Sequence, residues 1–217
     1  MSVTARFFIV RIHKWFPPGD PLAAKVARLC ILREDFALEM RGVYAEEIPE
    51  LDSHSEAWRR LYFLRNLFRT LMEIQGGIQR LLADKDFKVL LYKQSPEIKR
   101  EFGRLARVIA QAQPVLKEIR NDICGHVKED AVQEALDEVS LDSFGFMEIG
   151  RTLKDSHLKF AGELVANILV KGVAGNEKAK VLGAKMAKIA DLFDTFVLIE
   201  RILFMYVEDR GLLPLRR

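Results

Sequence analysis

Apolar residues recur every three or four positions along most of this chain, the spacing of one face of an α-helix. Asp20-Pro21 marks the first long helix, with aspartate as N-cap and proline at the first helical position, where its missing N–H costs nothing. That helix runs through AAKVARLCILREDFALEM towards Gly42. A second start stands at Ser53-x-x-Glu56, a capping-box spacing, and Leu61, Leu64, Phe68, Leu71, Ile74, Ile78 and Leu81 follow at helical intervals. The pair Gly76-Gly77 inside this run points to a kink. Ser95-Pro96-Glu97 opens a third long helix on Ile98, Phe102, Leu105, Ile109, Ala112, Leu116, Ile119 and Ile123. The stripe keeps its phase across Pro114, which implies a kinked helix or a short break there.

Gly125 ends that helix in this reading, and residues 129–139 form a short acidic one. SLDSFGFMEIG is a turn-rich connection. A helix over 155–172 turns Leu158, Leu164, Val165, Ile168 and Leu169 inward. The last helix spans 177–209 on Leu182, Met186, Ile189, Phe193, Phe196, Ile199, Leu203 and Tyr206, and Gly211 and Pro214 stop it. Ahead of all this, VTARFFIVRIHKWF is rich in β-branched and aromatic residues and ends at PPGDP. It reads as a short extended arm or edge strand with no evident strand to pair with. The expectation is an all-α chain: an N-terminal arm over 1–20, then one antiparallel helical bundle over 21–217.

Composition changes this picture little. Of 217 residues, 49% are hydrophobic and 30% charged, which suits a folded globular chain. Lysine and arginine exceed aspartate and glutamate by 34 to 31, a mild excess that permits a phosphate-bearing partner without requiring one. Cys30 and Cys124 lie in separate helix-like stretches, so no disulfide framework is visible and a reducing cytoplasm is expected. No apolar span approaches ~18 residues, so no membrane crossing is expected.

Most active-site signatures are missing. The chain has no glycine-rich phosphate loop, HExxH, paired CxxC or GxSxG. His13, His54, His126 and His157 stand far apart, and no Glu-x-x-His occurs, so neither a metal nor any other cofactor is expected. Cys124, two positions from His126, reads as a small core residue, because neighbours two apart diverge on a helix.

What stands out is IRNDICGHV, residues 119–127. An arginine can hold a phosphate through two parallel charge-assisted hydrogen bonds, and a histidine can move a proton near neutral pH. Metal-free RNA cleavage needs a base for the 2′-hydroxyl and positive charge on the phosphate as it becomes pentacovalent. Asn121 and Asp122 could orient either group. A plain helix terminus is the competing reading, with His126 and Lys128 favouring the negative end of the helix dipole and Asp122 paired with Arg120 or Lys117.

Arg120-Asn121-Asp122-Ile123-Cys124-Gly125-His126 resembles the R-x4–6-H motif of the HEPN superfamily, in which a polar residue directly follows the arginine. The resemblance implies a compact helical bundle over about residues 21–210. Many members are metal-independent endoribonucleases of toxin–antitoxin, abortive-infection and CRISPR-linked defence, so it also implies RNA as substrate. Arg120 and His126 would be the catalytic pair, with Asn121 the polar accessory residue and Asp122 beside it. Spacing alone does not discriminate, since Arg6 precedes His13 and Arg151 precedes His157 at similar distances. Only Arg120 is followed by Asn and Asp and lies at the end of a long amphipathic stretch.

Geometry adds a constraint. On an unbroken helix, six positions turn the chain so that Arg120 and His126 point about 120° apart and ~9 Å apart along the axis. Either the helix breaks near Gly125, or two copies of the motif meet across a two-fold axis; the homodimers with composite sites typical of the family match the second. HEPN-like domains also serve as non-catalytic modules, so the alternative is a bundle that binds a partner protein, such as an antitoxin or nucleotidyltransferase, or a nucleotide. In the arm, Arg6, Arg11, His13 and Lys14 alternate with Phe7, Phe8, Trp15 and Phe16. That mixture suits RNA contact, although hydrophobic docking onto the bundle or a partner is the simpler use.

Overall fold

The computed structural model of the chain describes residues 10–45, 53–119, 129–137, 160–169 and 195–212, with single positions between the later segments. Every regular element among the described residues is an α-helix: α1 (Ile12–Trp15), α2 (Pro21–Tyr44), α3 (Ser53–Ala83), α4 (Lys85–Tyr92), α5 (Pro96–Ile119), α6 (Glu129–Asp137), α7 (Phe160–Leu169) and α8 (Thr195–Asp209). No helix among the described residues is long and apolar enough to cross a membrane.

The starts follow the capping chemistry. Asp20 Oδ1 accepts from the Leu22 and Ala23 amides at 2.9 and 3.0 Å, satisfying two N–H groups that the first turn leaves without partners. Ser53 does begin α3, and Glu56 turns to the arginines that follow it. Its carboxylate is taken by Arg59, and then by Arg60, which together hold its pKa down to about 2.

Helices α2 and α3 form the most extensive pair. Lys25 pairs with Asp84, Arg28 with Glu73, Thr70 donates to Glu39, and Arg59 donates to the Gly42 carbonyl at 2.6 Å. As the α2 number rises the α3 partner falls, so the two run antiparallel. Asp20–Arg210 and Arg33–Glu200 set α8 antiparallel to α2 by the same logic, and Arg201–Glu101 ties α8 to α5. These partly exposed pairs mark register more than they add stability. Stability comes from the side chains between the helices, where Leu29, Phe36, Leu67, Phe68, Ile78, Leu81, Phe87, Leu105 and Tyr206 are all buried.

Several expectations are corrected. Around His13 the arm is a single helical turn rather than an edge strand, and no strand among the described residues is there to pair with it. Trp15 and Phe16 pack against the core, while Arg11, His13 and Lys14 are exposed. Helix α4 has no counterpart in the sequence reading. Asp84 caps it by accepting from the Asp86 and Phe87 amides at 2.9 and 3.2 Å, and it buries Phe87 and Leu90. Leu158, expected to face inward, lies outside α7 and is exposed, whereas Val165 and Ile168 are buried. Helix α5 runs unbroken through Pro114, which sits on the exposed side of the helix.

The glycines divide by what surrounds them. Helix α3 continues through Gly76 and Gly77, and Gly77 is there for packing: a Cβ would stand 2.7 Å from Leu29 Cδ2. At Gly42 a Cβ would land on the Phe63 ring, yet at Gly103 it would meet nothing within 4 Å. Gly103→Ala is therefore expected to stabilise by about 0.5–1 kcal/mol through helix propensity. Gly42→Ala is expected to cost about 1–3 kcal/mol from overpacking, partly offset by the same propensity gain. Chemical denaturation of the two variants checks this, and a shift of the same sign in both would contradict it. Gly211, at φ 63°, ends α8 in a Schellman motif. Its amide and that of Leu212 donate to the Glu208 and Val207 carbonyls, both at 2.9 Å.

Candidate functional site

The candidate motif follows directly on α5, so that helix defines what precedes it. Ser95 Oγ accepts from the Ile98 amide at 3.5 Å at its start. Phe102, Leu105, Ile109 and Ala112 are buried along one face, and Gln75 Nε2 donates to the Ile109 carbonyl at 3.3 Å. The opposite face presents Arg100, Gly103, Arg104, Arg107, Gln111 and Pro114, all exposed. The helix is described through Ile119, with Lys117 exposed near its end. Arg120, Asn121, Asp122, Cys124, Gly125 and His126 come next in the chain and lie outside the described residues, as do Arg6, Arg151 and His157. His13 is exposed on α1, and Cys30 is a half-buried free thiol whose pKa burial pushes up.

Elsewhere, two groups of polar residues draw attention. A shallow cleft is lined by Asp20, Leu22, Asp86, Val89, Leu90, Asp209 and Arg210. Its polar atoms already serve the fold: Asp20 caps α2 and pairs with Arg210, and Asp209 accepts from Lys93 at 2.5 Å. Burial raises the Asp20 pKa, but hydrogen bonds from Ala23, Arg210 and Leu22 outweigh it and leave the pKa below the ordinary value.

The second is Glu39, 8% exposed between α2 and α3. One carboxylate oxygen accepts from Thr70 Oγ1 at 2.9 Å, and Oε2 has no hydrogen-bond partner among the described residues. Burial raises its pKa, Thr70 and the charge of Arg69 oppose that, and Asp35 adds to it; the balance is upward. An acid whose folded value is raised resists ionising in the fold. Stability is therefore fullest below the ordinary carboxylate value and declines as pH rises through the raised one. Glu39→Gln keeps an oxygen for Thr70 and removes the charge. It is expected to raise the melting temperature at pH 8 relative to wild type more than at pH 4; an equal shift at both would refute this.

Sequence reading passed over Glu39, because a charged residue in a helical run is ordinarily solvated. It also passed over Tyr92 and Lys99, which meet at the junction of α4 and α5 with Lys99 Nζ 4.8 Å from the ring centroid. The i, i+7 repeat of Arg100 and Arg107 opposite the apolar stripe was the available signal for that face. No group of three or more His, Cys, Asp or Glu side chains among the described residues is placed to hold a metal ion. Comparison of the chain with protein-family models, curated proteins and solved structures finds no match. The class that can be stated is an all-α helical bundle.

Proposed function

We propose that this protein is a metal-independent endoribonuclease of the HEPN type, acting as a toxin or defence-system component. The observation that carries the reading is Arg120-Asn121 six positions before His126, directly after the last described residue of a long amphipathic helix in an all-helical bundle. Arg120 holds the scissile phosphate and stabilises its added negative charge. His126 takes the 2′-hydroxyl proton or protonates the departing 5′-oxygen. As the O2′–P bond forms, the P–O5′ bond breaks, leaving a 2′,3′-cyclic phosphate and a 5′-hydroxyl. Asn121, with Asp122 beside it, orients this pair. Two copies meeting at the motif would bring arginine and histidine to one phosphate, which the 120° divergence on a single continuous helix would not.

The test is incubation of the full chain with single-stranded RNA in excess chelator, followed by identification of the product ends. Cyclic-phosphate and 5′-hydroxyl ends formed without divalent metal are expected. Cleavage that requires a divalent ion, or that leaves 3′-hydroxyl and 5′-phosphate ends, would overturn the assignment. An absence of cleavage would favour the non-catalytic module that binds a partner protein or nucleotide.

A further inference from the structure

We infer that the outer face of α5, together with Tyr92, is a track for single-stranded RNA leading towards Arg120. The inference deepens the ribonuclease reading and rests on it.

The face is defined by burial and spacing. Arg100, Arg104 and Arg107 fall within an arc of about 60° at 100° per residue, opposite the buried Phe102–Leu105–Ile109 stripe. All three are exposed, and nothing among the described residues stands within 4 Å of a Cβ built at Gly103, between the first two. From Phe102 to Lys117 the helix carries Arg104, Arg107 and Lys117 and no carboxylate. Of the acids on α5, Glu118 follows Lys117 at its end and the other two lie near its start. Glu97 pairs with Arg100 at 3.2 Å, and Glu101 pairs with Arg201. Between those ends, from Phe102 to Lys117, the helix carries cations alone.

At the end of α4, just before α5, stands Tyr92, 81% exposed. Lys99 lies over one ring face, which leaves the tyrosine as an aromatic platform beside a cation. Stacked bases next to tracked phosphates are how sequence-tolerant proteins hold single strands, since every base offers a π-face and every nucleotide a negative charge. From Arg100 to Arg107 the helix rises about 10 Å, room for more than one cation–phosphate contact in a row. An exposed ring beside cations matches the pairing of base stacking with phosphate contact. That favours nucleic acid as the occupant.

The experiment measures binding of a fluorescent 2′-O-methyl oligouridylate, which lacks the attacking hydroxyl and so stays intact on the full wild-type chain. Affinity is recorded against salt concentration for wild type, Arg100→Glu/Arg107→Glu, Tyr92→Ala and a control with equal charge change on exposed α2 and α3 sites, Arg41→Glu/Arg80→Glu. Loss of two phosphate contacts should flatten the slope of log K against log salt by about 1.4. Tyr92→Ala should weaken binding between about fivefold and about a hundredfold, as loss of one stacked base does. It should leave competition by polyglutamate unchanged. Circular dichroism melts confirm that each variant is folded.

The track is overturned if the control weakens binding as much as the α5 variant, if Tyr92→Ala binds like wild type, or if wild type does not bind the oligonucleotide. Cleavage of RNA with an indifferent α5 face would remove the track and leave the enzyme. Binding through α5 without cleavage of unmodified RNA would do the reverse.

Discussion

Replacing His126 with alanine is expected to reduce RNA cleavage by roughly 10²–10⁴-fold, the usual contribution of a positioned acid–base group. The fold should be untouched, since the core described here is built by other residues. Arg120→Ala should be at least as damaging, because the phosphate would then gain negative charge with no fixed cation beside it. The pair also tests the dimer. If arginine from one protomer works with histidine from its partner, mixing the two inactive variants regenerates intact sites. A mixed dimer holds one site with both changes and one with neither, so random pairing should restore roughly a quarter of wild-type activity. No recovery on mixing would place both groups in one protomer, and full activity in His126→Ala would end the ribonuclease assignment.

The second large effect is expected at Tyr206. This residue is fully buried on α8, and its hydroxyl donates to the Trp15 carbonyl at 2.9 Å. Phe16 stacks on it at 5.9 Å with the rings 8° from parallel, and the Arg210 guanidinium lies over the ring at 4.3 Å. Arg210 in turn pairs with Asp20, the cap of α2. One side chain thus joins α1, the start of α2 and the end of α8. Tyr206→Ala should cost about 3–5 kcal/mol, as truncation of a buried aromatic residue does. For a chain of this length that lowers the melting temperature by roughly 6–20 °C. Tyr206→Phe keeps the packing and loses one hydrogen bond, at about 0.5–1.5 kcal/mol, less if the Trp15 carbonyl finds water. Equal losses in the two variants would show that the hydroxyl, not the ring, holds the arm.

Helix starts were well legible because a cap is local chemistry. Asp20 acts within three residues, and no distant partner is needed to recognise it. The apolar stripe of α5 was legible for a related reason, since that helix buries one face and exposes the other. Helix α8 was read less well. Ile199 and Tyr206 were picked out, but Leu198, Ile202 and Met205 are buried too. That helix touches α2, α4 and α5, so its covered face is wider than one stripe. Helix α4 was too short for periodicity to show, with only Phe87 and Leu90 buried in eight residues. The chemistry proposed for Arg120 and His126 rests on residue types and order, which are properties of sequence.

The sequence by itself determined that the long elements are helical, where they begin, and which residues stand in the order Arg-Asn-x4-His. Propensity, capping and the 3.6-residue period act over one or two turns and leave their mark on neighbouring residues. Tertiary structure alone decided that Gly42 admits the Phe63 ring, that Glu39 is enclosed beside Thr70, that Trp15 and Phe16 dock beneath Tyr206, and that Tyr92 stands open beneath Lys99. Each of these depends on which helix lies alongside which, across separations of up to 191 residues. Such packing depends on how all the apolar faces are satisfied together, which a local pattern does not specify.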